Sequence, residues 1–168
     1  MTAYASAIGS HVGMVRSNNQ DSGYAGFRLF LVADGMGGHA GGDVASALTA
    51  QAMSKVDAPL AKRRRTDADG APVADATAPI DVVSPALEDP QQAAKLLRDH
   101  LLKTNRMLRS TVGDRPELAG MGTTFSGFLT VGDELALAHI GDSRLYLLRD
   151  DKLTQITKDH TFVQRLVD

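Results

Sequence analysis

Apolar residues recur along this chain in two rhythms, and each stretch is assigned by the one it follows. Thr123 to Val131 alternates Phe125, Gly127, Leu129 and Val131 with Thr124, Ser126, Phe128 and Thr130, the period of two that marks a strand with distinct faces. Glu134 to Ile140 reads as its partner across Gly132-Asp133, and Arg144 to Arg149 with Lys152 to Ile156 as a second hairpin turning at Asp150-Asp151. Ser22 to Phe27 and Arg28 to Ala33 make a further strand pair around Gly26, and the small residues Ala3 to Gly9 an opening strand. Asp43 to Lys55 follows the helical period, with Val44, Ala45, Leu48, Ala52 and then Val56 in phase. A longer helix starts at Asp89-Pro90, an N-cap followed by a proline in the first turn, and runs to Ser110. Its apolar face is Ala94, Leu97, Leu101 and Leu108, widened by Ala93, Leu96 and Met107. Phe162 opens a last helix. Asp57 to Glu88 follows neither rhythm: it is rich in Ala, Asp and Pro, carries the basic run Lys62-Arg63-Arg64-Arg65, and reads as a flexible insertion loop within a single domain of residues 1–168.

The chemistry concentrates where the run Leu29 to Ala33 ends. Asp34 places a carboxylate at the strand end, and Gly35, Gly37, Gly38, Gly41 and Gly42 let the backbone approach an ion or a phosphate. The helix that follows points its first amides back at this turn. Two chemistries suit such an arrangement. Gly35-Met36-Gly37-Gly38-His39-Ala40 fits a loose dinucleotide-binding pattern, but that reading needs a second apolar strand ending in an acidic residue, and none follows the helix. The other is an oxygen-ligand metal site, in which the Asp34 side chain and the Gly35 carbonyl are hard donors suited to Mg²⁺ or Mn²⁺. A capped turn is compatible with both.

Composition narrows the field. A chain of 168 residues suits one domain with a real core, and its net charge of −2 predicts no bulk attraction to nucleic acid or to an anionic membrane. Cysteine is absent, which excludes disulfides, thiolate zinc sites and cysteine nucleophiles. No apolar run approaches membrane-spanning length and the first residues lack a leader pattern, so a cytoplasmic protein is expected. The run Lys62 to Arg65 reads as a solvated linker rather than a site for an acidic partner. The sequence sets no oligomeric state.

Three further stretches carry candidate groups. Gly13 to Asp21 is a polar loop in which Arg16 is a candidate phosphate fork, since a guanidinium grips two phosphate oxygens at once. Gly141-Asp142-Ser143-Arg144 sets a second carboxylate at a strand end, and a β-turn explains the same residues. His139, between apolar neighbours, reads as a packed core histidine.

Taken together, Arg16-x-x-Asn19-Gln20-Asp21, Val32-Ala33-Asp34-Gly35-Met36-Gly37-Gly38-His39, Gly120-Met121-Gly122-Thr123-Thr124, His139-Ile140-Gly141-Asp142-Ser143-Arg144 and Thr157-Lys158-Asp159-His160 resemble, in order, the motifs of bacterial metal-dependent Ser/Thr protein phosphatases of type 2C. The resemblance implies an α+β fold, a four-layer α-β-β-α sandwich of two antiparallel sheets flanked by helices. It implies a site for two Mn²⁺ or Mg²⁺ ions and a third, weaker one, and hydrolysis of phosphoserine or phosphothreonine by a metal-held hydroxide, which needs no cysteine. By resemblance Asp34 bridges the metals, Gly35 lends its carbonyl, Asp21 holds metal-bound water, Asp142 helps hold the third ion and Arg16 binds the substrate phosphate. Asp159 and His160 open a flap beside the site where substrates are selected. The implied partners are phosphorylated proteins, substrates of Ser/Thr kinases.

The chain departs from the family pattern in two ways. Met36 stands where many relatives carry a histidine proposed as general acid, and His39 is the nearby candidate for that role. No later Asp-Gly and Asp-Asn motifs follow, and Asp69-Gly70 lies in the insertion, out of order. Without those two carboxylates a dinuclear site is short of anionic charge, so the expectation is the front two-thirds of a phosphatase domain, weak or inactive alone. The alternative is an inactive phosphatase-like module that keeps Arg16 to engage phosphorylated partners.

Overall fold

The computed structural model describes residues 5–37, 41–57, 63–65, 80–82, 87, 89–161 and 164. The strands β1 (Asp21–Ala25) and β2 (Leu29–Met36) pair antiparallel, and β2 pairs on its other side with β6 (Phe125–Val131), itself paired with β7 (Glu134–Ile140). The sheet order is therefore β1-β2-β6-β7, all antiparallel. The dinucleotide reading is thereby overturned, because it requires β2 to have a parallel neighbour reached through the following helix. The short strand β5 (Gly122–Thr123) also pairs with β2, and Thr124 breaks what the alternation predicts as one strand.

One face of the sheet is closed by α1 (Gly41–Asp57) and α2 (Pro90–Asp114). Leu29, Leu31, Phe125, Leu129, Val131 and Ala136 from the sheet meet Ala50, Met53 and Val56 from α1, with Ala93 and Leu97 from α2. Asp89 caps α2, its carboxylate accepting from Gln91 N at 2.8 Å. The buried face of α1 keeps Ala45 and Val56 of the expected set but leaves Val44, Leu48 and Ala52 only partly covered. Ala45, Ser46, Thr49, Ala50 and Met53 are inside, and Ser46 is held there by a 3.1 Å contact with the Ser22 hydroxyl. The other face of the sheet carries Phe30 stacked on Phe128 at 5.2 Å, with Val32, Leu135 and Leu137 exposed.

The second hairpin, β8 (Tyr146–Arg149) and β9 (Lys152–Gln155), is a separate ladder. It turns at Asp150 and Asp151, both left-handed with φ of 51° and 58°, the geometry of a two-residue type I′ turn. No ladder includes Ala5 to Gly9, so the opening strand is not formed over those residues. The expected insertion needs two corrections. Asp57 is the last residue of α1, and β3 (Arg63–Arg65) pairs antiparallel with β4 (Ile80–Val82), where β-branched residues favour a ladder. The rest of that segment, His39, and most of the helix expected from Phe162 lie outside the described residues.

Candidate active site

The β1-β2 hairpin is pinned from below by an unexpected residue. Asp57 is 1% exposed, and its carboxylate accepts from the amides of Phe27, Arg28 (2.8 Å) and Leu29 (3.2 Å) and from the Tyr24 hydroxyl (3.0 Å). A Cβ on Gly26 would sit 2.1 Å from Asp57 Oδ2, so only glycine lets the turn wrap the carboxylate. Burying a charge is costly unless hydrogen bonds replace its water, and here they do. Nothing in the local sequence distinguishes this aspartate from a loop residue.

At the opposite end of the hairpin the register sets Asp21 directly across from Asp34. Both face away from the helices, as strand alternation demands once Leu31 and Ala33 point into the core. Asp34 is not the strand's end: β2 runs on through Gly35 and Met36, which pair with Thr123 and Gly122. Its backbone is held on both sides. The Asp34 amide donates to Thr124 Oγ1 at 2.9 Å, and its carbonyl accepts from Thr124 N at 2.8 Å and from Thr123 Oγ1 at 2.9 Å. Gly35 N donates to Gln20 O at 3.0 Å, and a Cβ on Gly35 would lie 1.9 Å from Gly42 O. The strand, the start of α1 and the Gln20 loop thus converge where a side chain at position 35 has no room.

Asp34 lies on the wall between two hollows. An open cleft of about 840 Å³ is lined by Arg16, Asn18, Gln20, Gly35, Thr124 and Asp142 as well as Asp34. A second hollow of about 350 Å³ is lined by Asp21, Ser10, His11 and Ser143. The Asp34 carboxyl titrates above its ordinary value. Burial is the largest cause, followed by the charge and hydrogen bond of Asp21 and the charge of Asp142, while Arg16 opposes them. Like charges this close favour a proton or a cation between them. The structure therefore gathers Arg16, Asp21, Asp34, Gly35 and Asp142 around one carboxylate. Among the described residues, no three His, Cys, Asp or Glu side chains are gathered tightly enough to hold a metal ion by themselves.

Asp159 and His160 do not line the cleft but stand behind Asp142. His160 N donates to Gly141 O at 2.7 Å, and Arg144 grips Asp159 through Nε (2.9 Å) and a terminal nitrogen (2.7 Å). That pairing holds the Asp159 carboxyl below its ordinary value. His139 is not a packed core residue: it is half-buried, with both ring nitrogens engaged.

Residues 9–164 match the family model described as protein phosphatase 2C. The chain belongs to the protein phosphatase 2C family. It is 45% identical over 162 residues to the serine/threonine protein phosphatase PstP of Mycobacterium tuberculosis, which covers 96% of this chain and 26% of PstP. It is 30% identical to the serine/threonine phosphatase stp of Listeria welshimeri, covering 92% of this chain and 54% of stp. The crystal structure of the catalytic domain of PstP in complex with two manganese ions superposes with a TM-score of 0.69 at 44% identity, over 92% of this chain and 55% of that one. The chain thus spans about half the length of stp and of that catalytic domain. The α+β fold expected of a 2C phosphatase is the one observed. Among the described residues, no helix is long and apolar enough to cross a membrane.

Proposed function

We propose that this 2C-family chain contributes the cation- and phosphate-binding half of a protein serine/threonine phosphatase acting on phosphoserine and phosphothreonine of proteins modified by Ser/Thr kinases. One observation carries the reading: Asp21 and Asp34 face each other across a ladder beside a cleft that Arg16 and Asp142 also line or charge. Facing carboxylates repel unless a cation joins them, and a set of carboxylates with the Gly35 carbonyl consists of hard oxygen donors that fit Mn²⁺ or Mg²⁺. PstP, the relative solved with two manganese ions, makes Mn²⁺ the probe of choice. When bound, such ions supply an activated water and offset charge on a phosphoryl group. Asp34 and the Gly35 carbonyl would hold the two ions, Asp21 would hold them through water, and Asp142 would serve a third. Arg16 orients the phosphate by a two-point grip. Asp159 and His160, held on Arg144 and Gly141 rather than in the cleft, open a flap that selects substrates, and His39 is the candidate proton donor to the leaving group. These side chains are a partial shell, so cation affinity of the chain is low.

Mn²⁺-dependent thermal stabilisation, measured together with hydrolysis of a phosphothreonine peptide, tests this. Millimolar Mn²⁺ is expected to raise the melting temperature of the parent chain and not of Asp34→Asn, with slow hydrolysis that Arg16→Ala reduces further. A melting temperature indifferent to Mn²⁺ in both proteins refutes the metal site and the phosphatase reading with it. The sparse ligand set favours a second reading, a phosphate-engaging module without turnover. Asp34-dependent Mn²⁺ stabilisation and Arg16-dependent phosphopeptide binding with no hydrolysis select that one.

A further inference from the structure

The hydrogen bonds around Ser126 bear on the proton count of a histidine. Ser126 is fully buried, and its hydroxyl donates its one proton to the Ser143 carbonyl at 2.8 Å. Toward His139 Nδ1, 2.8 Å away, the same oxygen can then only accept. On the far side of the ring, His139 Nε2 lies 3.0 Å from the Lys158 carbonyl, another acceptor. All of these partners are satisfied at once only when both ring nitrogens donate, the pattern of imidazolium. Losing one proton costs a bond in either tautomer. With Nε2–H retained, Ser126 turns its proton to Nδ1 and releases the Ser143 carbonyl; with Nδ1–H retained, the Lys158 carbonyl is released.

The surroundings suit the charged form. The Asp159 carboxylate, paired with Arg144, feels the charge of His139, and the His139 and His160 imidazoles sit 4.8 Å apart. His160 Nδ1 accepts from Gly141 N at 3.3 Å. Among the described residues, the Ser126 hydroxyl bonds the ring from β6, and Arg98 of α2 lines the same hollow as His139. The network also reaches the cleft, since Ser143 Oγ meets Thr124 Oγ1 at 2.7 Å and Thr124 Oγ1 accepts from the Asp34 amide.

We infer that His139, in its doubly protonated form, is a positioning residue that clamps the Lys158–His160 segment and the Asp142–Ser143 turn to the ends of β6 and β7. Its consequence for catalysis rests on the phosphatase reading, because Asp142 is the group it steadies. The clamp itself does not depend on that reading.

The test uses the purified, metal-free chain between pH 5.5 and 8, the range in which imidazole commonly changes charge. Ring ¹⁵N shifts report the protons on His139, and hydrogen exchange, corrected for intrinsic rate, reports the Gly141 and His160 amides. Protection of these amides is expected to fall about three- to tenfold, the weight of one lost hydrogen bond, in step with the change of His139 from two ring protons to one. His139→Phe keeps the bulk and stacking of the ring without a donor, and is expected to show the lower protection at every pH. Ser126→Ala guards against a misfolded His139 variant: with no hydroxyl to satisfy, neutral His139 holds Lys158 through Nε2–H, and the pH step disappears. Parent protection that ignores the charge of His139, or a parent-like pH step in either variant, overturns the clamp. Neither readout uses a metal or a phosphoester, so this failure is distinct from failure of the phosphatase reading, which Asp34→Asn tests.

Discussion

Replacing Asp57 by alanine removes the acceptor of four hydrogen bonds at the closed end of the β1-β2 hairpin. The amide of Leu29 belongs to a residue with 0% exposure and has no route to water, so it bears the full penalty of an unsatisfied buried donor, about 1–3 kcal/mol. The amides of Phe27 and Arg28 and the Tyr24 hydroxyl belong to less buried residues and recover part of their loss from solvent. The sum is a destabilisation of about 3–5 kcal/mol, in the range found when one partner of a buried ionic network is deleted. With a urea slope of about 2 kcal/mol per molar, the unfolding midpoint drops by about 2 M, and the melting temperature by about 8–15 °C. Urea titration followed by far-ultraviolet circular dichroism measures it, with Asp99→Ala on the exposed face of α2 as the control that leaves the midpoint in place. Asp57→Asn should fall between parent and alanine variant, because asparagine keeps one acceptor oxygen but turns an amide toward donors. An Asp57→Ala midpoint within about 0.3 M of the parent would refute the assignment of Asp57 as the anchor of this hairpin.

Other consequences are equally open to measurement. Gly35→Ala forces a Cβ against the Gly42 carbonyl and should destabilise the chain by about 3 kcal/mol in the same titration, while Gly113→Ala, with open space around it, should cost less. Because the Asp34 pKa is raised in the folded state, its contribution is fully present below the unfolded value and is lost as pH rises through the raised one. The metal-free chain should therefore lose stability across that window, and Asp34→Asn should flatten the curve in a series of urea titrations at stepped pH. Asp159 has the opposite sign. Its folded pKa is lowered, chiefly by the Arg144 hydrogen bond, so its contribution is present above the unfolded value and is lost as pH falls through the folded one. Arg144→Gln should move the acid loss of His160 amide protection to higher pH, and an unchanged acid limb would disprove the pairing.

The sequence by itself determined the elements whose signal is local. The alternation in Thr123 to Val131, the two-residue turn at Asp150-Asp151 and the Asp89-Pro90 helix start follow from side-chain period, backbone preference and capping within a few residues. The ordered motifs also carried the family, because their residue identities recur position by position in their order along the chain. Tertiary structure alone decided the rest. Pairing register set Asp21 across from Asp34 and carried β2 past the aspartate. The packing of α1 that buries Ser46 sets its hydroxyl against that of Ser22 in β1. Asp57 looked like the first residue of a polar loop and became the buried anchor of a turn thirty positions earlier, and His139 looked like core and became a half-buried ring with both nitrogens hydrogen-bonded. Each of these turns on a partner distant in the chain, and no local period or propensity records which distant donor or acceptor a polar side chain will meet.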